Sequence, residues 1–236
     1  EDIALPVWVP PTVGDPLPVR QGMFMRPDAP KQVVLQQLTD DPDGPVGSHL
    51  WNHPTLTVSD LLTAMSGHHH TSRTTGLGAR ELRRRLQDPN LPAVQVETLT
   101  ASGMPPHLRL PALSHPNLPG RVAERLKDSP QLAVRQALAA NSNMDPTVLT
   151  GYLEDHAWGV RRRAAANPNL PASVIPTGSD DQAHQLGVAA NPNTPAHVLT
   201  EMDMGDPTIA EEVAANPNTP ADALTGLAGH FDERVR

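Results

Sequence analysis

The pentapeptide Asn-Pro-Asn-Thr-Pro stands at 191–195 and again at 216–220, and two prolines within five residues leave a chain few options. The first removes an amide donor and bars the residue before it from helical geometry, so a helix must stop there. The second sits where a missing amide costs nothing, at the start of a new helix, with the Thr before it as a candidate cap. The phrase therefore predicts two short helices joined by a tight turn, written more than once.

Traced backward from Pro217, the second position of the phrase recurs at Pro192, Pro168, Ser142, Pro116, Pro89, Pro54 and Pro27, at intervals of 25, 24, 26, 26, 27, 35 and 27 residues. The variants read NPNTP, NPNLP, NSNMDP, HPNLP, DPNLP, HPTLT and RPDAP. Apolar residues follow the second Pro at helical spacing (Val198, Leu199, Met202; Ala223, Leu224, Leu227; Val122, Ala123, Leu126) and precede the phrase in a second stripe (Val134, Ala137, Leu138; Val160, Ala164, Ala165). One unit cannot bury two thin faces alone, but its neighbours can, which predicts a solenoid of about eight repeats of about 25 residues. With 1 Tyr, 2 Phe and 3 Trp among 236 residues, a thick aromatic core is excluded and a thin core of Leu, Val, Ala and Met is expected. Residues 1–15 read as an irregular N-terminal segment, 16–66 as degenerate repeats, 67–78 as an inserted loop, and 79–236 as repeats whose last, opening with "GHFDERVR", is incomplete.

The unit "DHAWGVRRRAAANPNLPASVI", with Asp155, Val160, Arg161, the Ala run, Asn167-Pro168-Asn169 and Pro171, resembles the leucine-rich repeat variant family, as do "DSPQLAVRQALAANSN" and the two NPNTP units. The resemblance covers 115–236 best and 16–114 less well. It implies an all-α fold, alternating short α and 3₁₀ helices in a right-handed superhelix, and no reaction. The iron-sulfur segment of some relatives is not carried over, because the chain has no cysteine.

That absence also removes disulfides and thiolate chemistry, and fits a reducing, cytoplasmic setting. No apolar run reaches the ~20 residues of a membrane span, so a soluble chain is expected. No nucleophile, phosphate-loop or metalloprotease motif is present, and neither a catalytic residue nor a cofactor is assigned.

Charge is distributed unevenly. Residues 73–163 hold 13 basic and 8 acidic side chains, whereas 1–72 hold 3 and 8, and 164–236 hold 2 and 10. The central excess forms a candidate basic patch: Arg80, Arg83, Arg84 and Arg85; Arg109, Arg121 and Arg125; Arg135, Arg161, Arg162 and Arg163. Arg109, Arg135 and Arg161, like Arg20 earlier in the chain, stand seven residues before the turn position, where pairing with repeat aspartates such as Asp128 and Asp155 competes with binding an anion. A second candidate is the loop "SGHHHTSRTTGLG", with His68, His69, His70 and Arg73. Adjacent histidines with no carboxylate beside them do not make a metal site, so no metal is assigned. Trp51, Tyr152 and Trp158 are each core anchors or stacking platforms, with Trp158 expected to pack against Arg161. The expected function is a non-enzymatic scaffold for a protein or peptide with an acidic surface. The alternative is a nucleic-acid-binding or repair protein of the helical-repeat DNA glycosylase type, with Asp155 beside Trp158 as its chemistry.

Overall fold

A computed structural model describes residues 8–66, 72–230 and 232–235, together with the backbone but not the side chains of 72–75. The described residues are all-helical, with fifteen short α-helices, one 3₁₀ helix and no strand. They divide into two compact units, Glu1–Leu108 and Arg109–Arg236. No described helix is long and apolar enough to cross a membrane.

In the first unit, α1 (Leu17–Phe24), α2 (Lys31–Asp40), α3 (Gly47–Leu50), α4 (Val58–Ser66), α5 (Ser72–Arg85) and α6 (Ala93–Thr98) pair around the expected turns, and α7 (Pro106–Leu113) begins here. The second unit takes in the end of α7 and continues with α8 (Gly120–Leu126), α9 (Leu132–Ala139), α10 (Pro146–Tyr152), α11 (Trp158–Ala165), the 3₁₀ helix η1 (Ala172–Val174), α12 (Gln182–Ala190), α13 (Ala196–Glu201), α14 (Pro207–Ala215) and α15 (Ala221–Leu227). Each turn phrase separates two of these elements. The alternation of α with 3₁₀ helices is not observed, since only η1 is 3₁₀ and the other second helices keep α geometry over six or more residues.

Why the phrase recurs is clearest in its first asparagine. The Asn191 side chain is fully buried; its Nδ2 donates to the carbonyls of Ala165 (2.7 Å) and Asn167 (3.0 Å), and its Oδ1 accepts from the Asn193 amide (2.9 Å). Asn141, Asn167 and Asn216 repeat the pattern, each bonding two carbonyls of the preceding turn and one amide of its own. A ladder of carboxamides thus runs through the second unit, each rung satisfying backbone groups that would otherwise be buried without partners. The second Asn adds an exposed strut, with Asn143, Asn193 and Asn218 donating to the carbonyls of Pro116, Pro168 and Pro192.

Two expectations about the phrase need correction. The Thr is not a helix cap: Thr194 and Thr219 are buried, and their hydroxyls donate backward to the carbonyls of Val188 and Val213, closing the end of the helix just finished. The second Pro is the N-cap residue rather than the first helical one at Pro92, Pro119, Pro195 and Pro220, in extended geometry. At 145–146 an Asp caps and Pro146 takes the first helical position.

The expected stripes form the core. Val134, Leu138, Val160, Ala164, Ala165, Val122 and Leu199 are buried, and Val198 and Met202 are half-buried. Leu224 is a miss: it is 41% exposed, whereas its counterparts Leu149 and Leu199, each covered by the helices that follow, are fully buried. The first helices α9, α11, α12 and α14 pack directly on one another. Their spacing is set by small residues, and a Cβ added at Gly187 would meet the Ala165 Cβ at 2.4 Å and the Arg162 carbonyl at 2.6 Å.

In the first unit the rungs are improvised. His53 replaces the Asn, accepting from the Thr55 amide at Nδ1 (3.3 Å). Its Nε2 is directed at the Phe24 and Arg26 carbonyls without closing a good hydrogen bond to either, and burial lowers its pKa. At the next turn Asp88 has no N–H to give, and the Arg85 guanidinium supplies it instead, donating to the carbonyls of Leu56 and His53.

The inserted loop expected over 67–78 must also be redrawn. His68, His69 and His70 lie outside the described residues, but 72–78 form the first half of α5. Gly78 is buried, with no room for a Cβ beside Met65 and Trp51 (2.6 and 2.9 Å), so this stretch packs rather than projects. Arg73 sits in the first turn of that helix.

Two stability predictions follow from the ladder and the spacing. Asn191→Ala strands two buried carbonyls and is expected to cost about 2–4 kcal/mol, whereas Asn193→Ala, at an exposed strut, costs under ~1 kcal/mol; equal losses in urea unfolding would refute the ladder's role. Gly187→Ala is expected to destabilise by about 1–3 kcal/mol by overpacking, although alanine is the better helix former. Gly151→Ala, within α10 and with nothing inside 4 Å, should stabilise by up to ~1 kcal/mol.

Candidate interaction surfaces

Half of the candidate basic patch is committed to internal bonds. Arg135 is buried; its Nε donates to Asp155 Oδ2 (2.7 Å) and its Nη1 to the Ser129 carbonyl (2.8 Å). Arg161 repeats this one unit on, with Asp181 (2.6 Å) and the Asp155 carbonyl (2.8 Å). Arg109 donates to Gln131 (3.1 Å) at the same position of an earlier unit. Each arginine therefore reaches forward to the acceptor that opens the next first helix. The aspartate before it in sequence is not its partner, contrary to the expected Asp155–Arg161 and Asp128–Arg135 pairing.

Burial would raise the Asp155 carboxyl, but the Arg135 guanidinium and the Ala157 amide (2.8 Å) outweigh it and hold the pKa below the usual carboxylate value. At Asp181 the Arg161 guanidinium is the leading cause of the same shift. Both oxygens of Asp155 are thus engaged, and Trp158 lies on the exposed side of α11.

In the first unit, Glu81 is buried and binds Arg84 (2.7 Å) and Arg85 (2.9 Å). Burial raises its carboxyl, and the two guanidiniums more than reverse this. Arg80, Arg83 and Arg84 form one exposed face of α5 at i, i+3 and i+4, and with Gln87, just past the end of the helix, they line a hollow of about 440 Å³. Arg80 and Arg83 make no ion pair among the described residues.

In the second unit the remaining arginines lie on different elements. Arg121 and Arg125 are exposed on the second helix α8, and Arg162 and Arg163 are on the first helix α11. The face of the first-helix row is the more structured of the two. Leu110, Pro111 and Ser114 from α7 and its end, Ala133 and Gln136 from α9, and Arg163 from α11 surround a hollow of about 280 Å³. The Gln136 carboxamide lies over Gly159, 2.3 Å from where a Cβ would stand, and makes no hydrogen bond among the described residues. Trp158 beside it is 44% exposed, with the Arg162 guanidinium 5.7 Å above its ring and bonded to Glu212 of α14 (2.5 Å). The stacking arginine is Arg162, one residue from the Arg161 expected, because Arg161 points into the Asp181 pair. Trp51 and Tyr152 are core residues whose polar atoms donate to the carbonyls of Pro42 (3.1 Å) and Lys127 (2.8 Å).

Sequence reasoning missed Gln136 and Leu132, the latter 45% exposed on the same helix as Gln136. An apolar residue at a stripe-breaking position was the available signal for Leu132. No group of three His, Cys, Asp or Glu side chains among the described residues is arranged to hold a metal ion. Comparison with protein-family models, curated proteins and solved structures finds no match to this chain.

The arginine–aspartate rungs set an acid limit on stability. A folded pKa below the unfolded one gives a contribution that is complete above the unfolded value, about 3.9, and is lost as pH falls through the folded value. Asp155→Asn leaves the buried Arg135 without its counter-charge and is expected to cost about 3 kcal/mol at pH 7, with the difference from the parent protein shrinking below pH 4. A pH-independent difference in urea unfolding would show that the ion pair is not the cause.

Proposed function

We propose that the chain is a non-enzymatic interaction scaffold that binds an extended, acidic peptide segment of a partner protein across its first-helix row. In this reading the repeats are those of a right-handed superhelical solenoid of about eight repeats, of the leucine-rich repeat variant kind, in which curvature supplies a long surface without an enclosed pocket. The observation that carries it is the Gln136 carboxamide, which lies over Gly159, lines one hollow with Arg163 and makes no hydrogen bond among the described residues. A carboxamide offers one donor group and one acceptor side by side, which matches a peptide unit. Trp158 adds an exposed aromatic surface, and Arg163 adds a cation with no competing internal acid.

The alternative, a nucleic-acid protein of the helical-repeat DNA glycosylase type, draws support from the Arg80, Arg83 and Arg84 face of α5. Its proposed acid has no such support, since Asp155 is spent on Arg135 and on its own turn. Arg84 is a poor probe of that face, because reversing its charge would place an acid beside the buried Glu81.

Selection of random displayed peptides on the purified chain tests the proposal. Enriched peptides should carry Asp or Glu; their affinity should fall about tenfold or more in Trp158→Ala and Gln136→Ala, and should be lost in Arg163→Glu, with melting unchanged because these are surface positions. Enrichment indifferent to these changes would overturn the first-helix site. Tight duplex DNA binding with a steep salt dependence, lost in an Arg80→Glu, Arg83→Glu variant, would favour the alternative.

A further inference from the structure

One repeat of the second unit lacks most of its second helix. Where α10 runs for seven residues and α13 for six, η1 has three, because Pro176 forces Ile175 into extended geometry (ψ 124°) and Gly178 turns the chain back at φ 77°. The loop is then pinned: the Thr177 amide donates to the Ile175 carbonyl (2.8 Å) and Gln185 Nε2 to the Ser179 carbonyl (3.1 Å).

The missing turn leaves a cleft of about 440 Å³ between this loop and α13, a size in the range of ligand sites. Its floor is apolar: Val188 and Ile209 are deeply buried, and Val198 and Met202 are half-exposed. Its rim carries Glu201 and Asp203, both exposed, together with the exposed His197 and no Lys or Arg. The Glu201 carboxylate makes no hydrogen bond or ion pair among the described residues, and Asp203 uses one oxygen for the Gly205 amide (2.8 Å). The surroundings carry the same sign, with ten acidic and two basic side chains in 164–236.

An apolar trough ending at free carboxylates is complementary to a group with an aliphatic stem and a cationic head, which is how lysine and arginine side chains divide themselves between apolar and polar surroundings. An uncharged apolar ligand would leave the carboxylates unused, and an anion would be repelled. We propose that this cleft is a receptor site for a single long basic side chain presented by a partner polypeptide, with the stem on Val198 and Met202 and the head between Glu201 and Asp203. The cleft shares no lining residue with the hollow of Gln136 and Arg163, so it stands whether or not that face binds acidic peptides.

The test uses the intact chain with methyl-labelled Met, Ile and Val, titrated with the blocked tripeptides Gly-Arg-Gly and Gly-Lys-Gly and, as controls, Gly-norleucine-Gly and Gly-Glu-Gly. The Arg and Lys peptides should give saturable shifts at Met202, Val198 and Ile209 with a Kd of order millimolar, as fits one side chain in an open cleft. The controls should not. A Glu201→Gln, Asp203→Asn variant should weaken binding about tenfold or more with its melting unchanged, because both residues are exposed and Asn keeps the acceptor for Gly205. Equal shifts from the norleucine peptide, binding unaffected in the double variant, or no shifts with the basic peptides would each overturn the proposal.

Discussion

A helical hairpin repeated every 25 residues must bury two carbonyls at every junction, and those carbonyls decide what the sequence can be. Water cannot reach them and the helices on either side have ended, so a side chain must supply the donors. Asparagine does so with two N–H groups, keeps its oxygen for the amide two residues on, and is short enough to stay within the turn. Asn141, Asn167, Asn191 and Asn216 each close three bonds in this way. Around Asn167, Asn191 and Asn216 two prolines act in concert: the first ends one helix and the second starts the next, whereas Ser142 follows Asn141 and the rung there is unchanged. The Thr hydroxyls at 194 and 219 satisfy a further carbonyl each. The phrase reads as five residues but solves one accounting problem.

The arginines follow the same logic at the other junction. Arg135 and Arg161 each bridge a carbonyl six residues back and a carboxylate twenty residues on, so a single guanidinium fixes both the turn it leaves and the unit it approaches. Its fork geometry makes this possible where a lysine would make only a point contact. Counting arginines by sequence window therefore overstates the charge available to a partner. With Arg85 closing the rung that Asp88 cannot, and Arg84 tied to Glu81, fewer cations are left to a partner on the described surface than the count suggests.

Much of the fold was legible because the turn phrase is local. Where helices stop and start depends on backbone chemistry that proline and asparagine dictate within five residues, and apolar spacing then selects the buried faces. What was not legible depends on distance. The Arg161–Asp181 partnership spans twenty residues and competes with a nearer aspartate, and nothing in the sequence ranks the two. The burial of Gly78 against Met65 and Trp51 is equally non-local, which is why a polar, glycine-bearing stretch read as a loop although 72–78 are helical. Leu224 fits the stripe perfectly and is exposed, because the pattern records which face is apolar and not whether another helix covers it. Gln136 left no trace at all, since its significance lies in resting on Gly159 of the following unit.

These irregularities separate structure from function in a repeat protein. Residues that recur from repeat to repeat, the ladder asparagines of 141–216 above all, are explained by the carbonyls they satisfy. A side chain available to a partner must therefore occupy a position that the repeat leaves unassigned. Gln136, Trp158 and Arg163 do so on the first-helix row, as do Glu201 and Asp203 beside the truncated second helix. The Pro176–Gly178 turn makes the point most directly: removing one helical turn costs the unit part of its cover but leaves its rungs intact, because Asn167 and Asn191 still bond as they do elsewhere. A stack of repeats held by its junctions can lose cover between them without losing its register, and that tolerance is what lets a cleft open between the Pro176–Gly178 turn and α13.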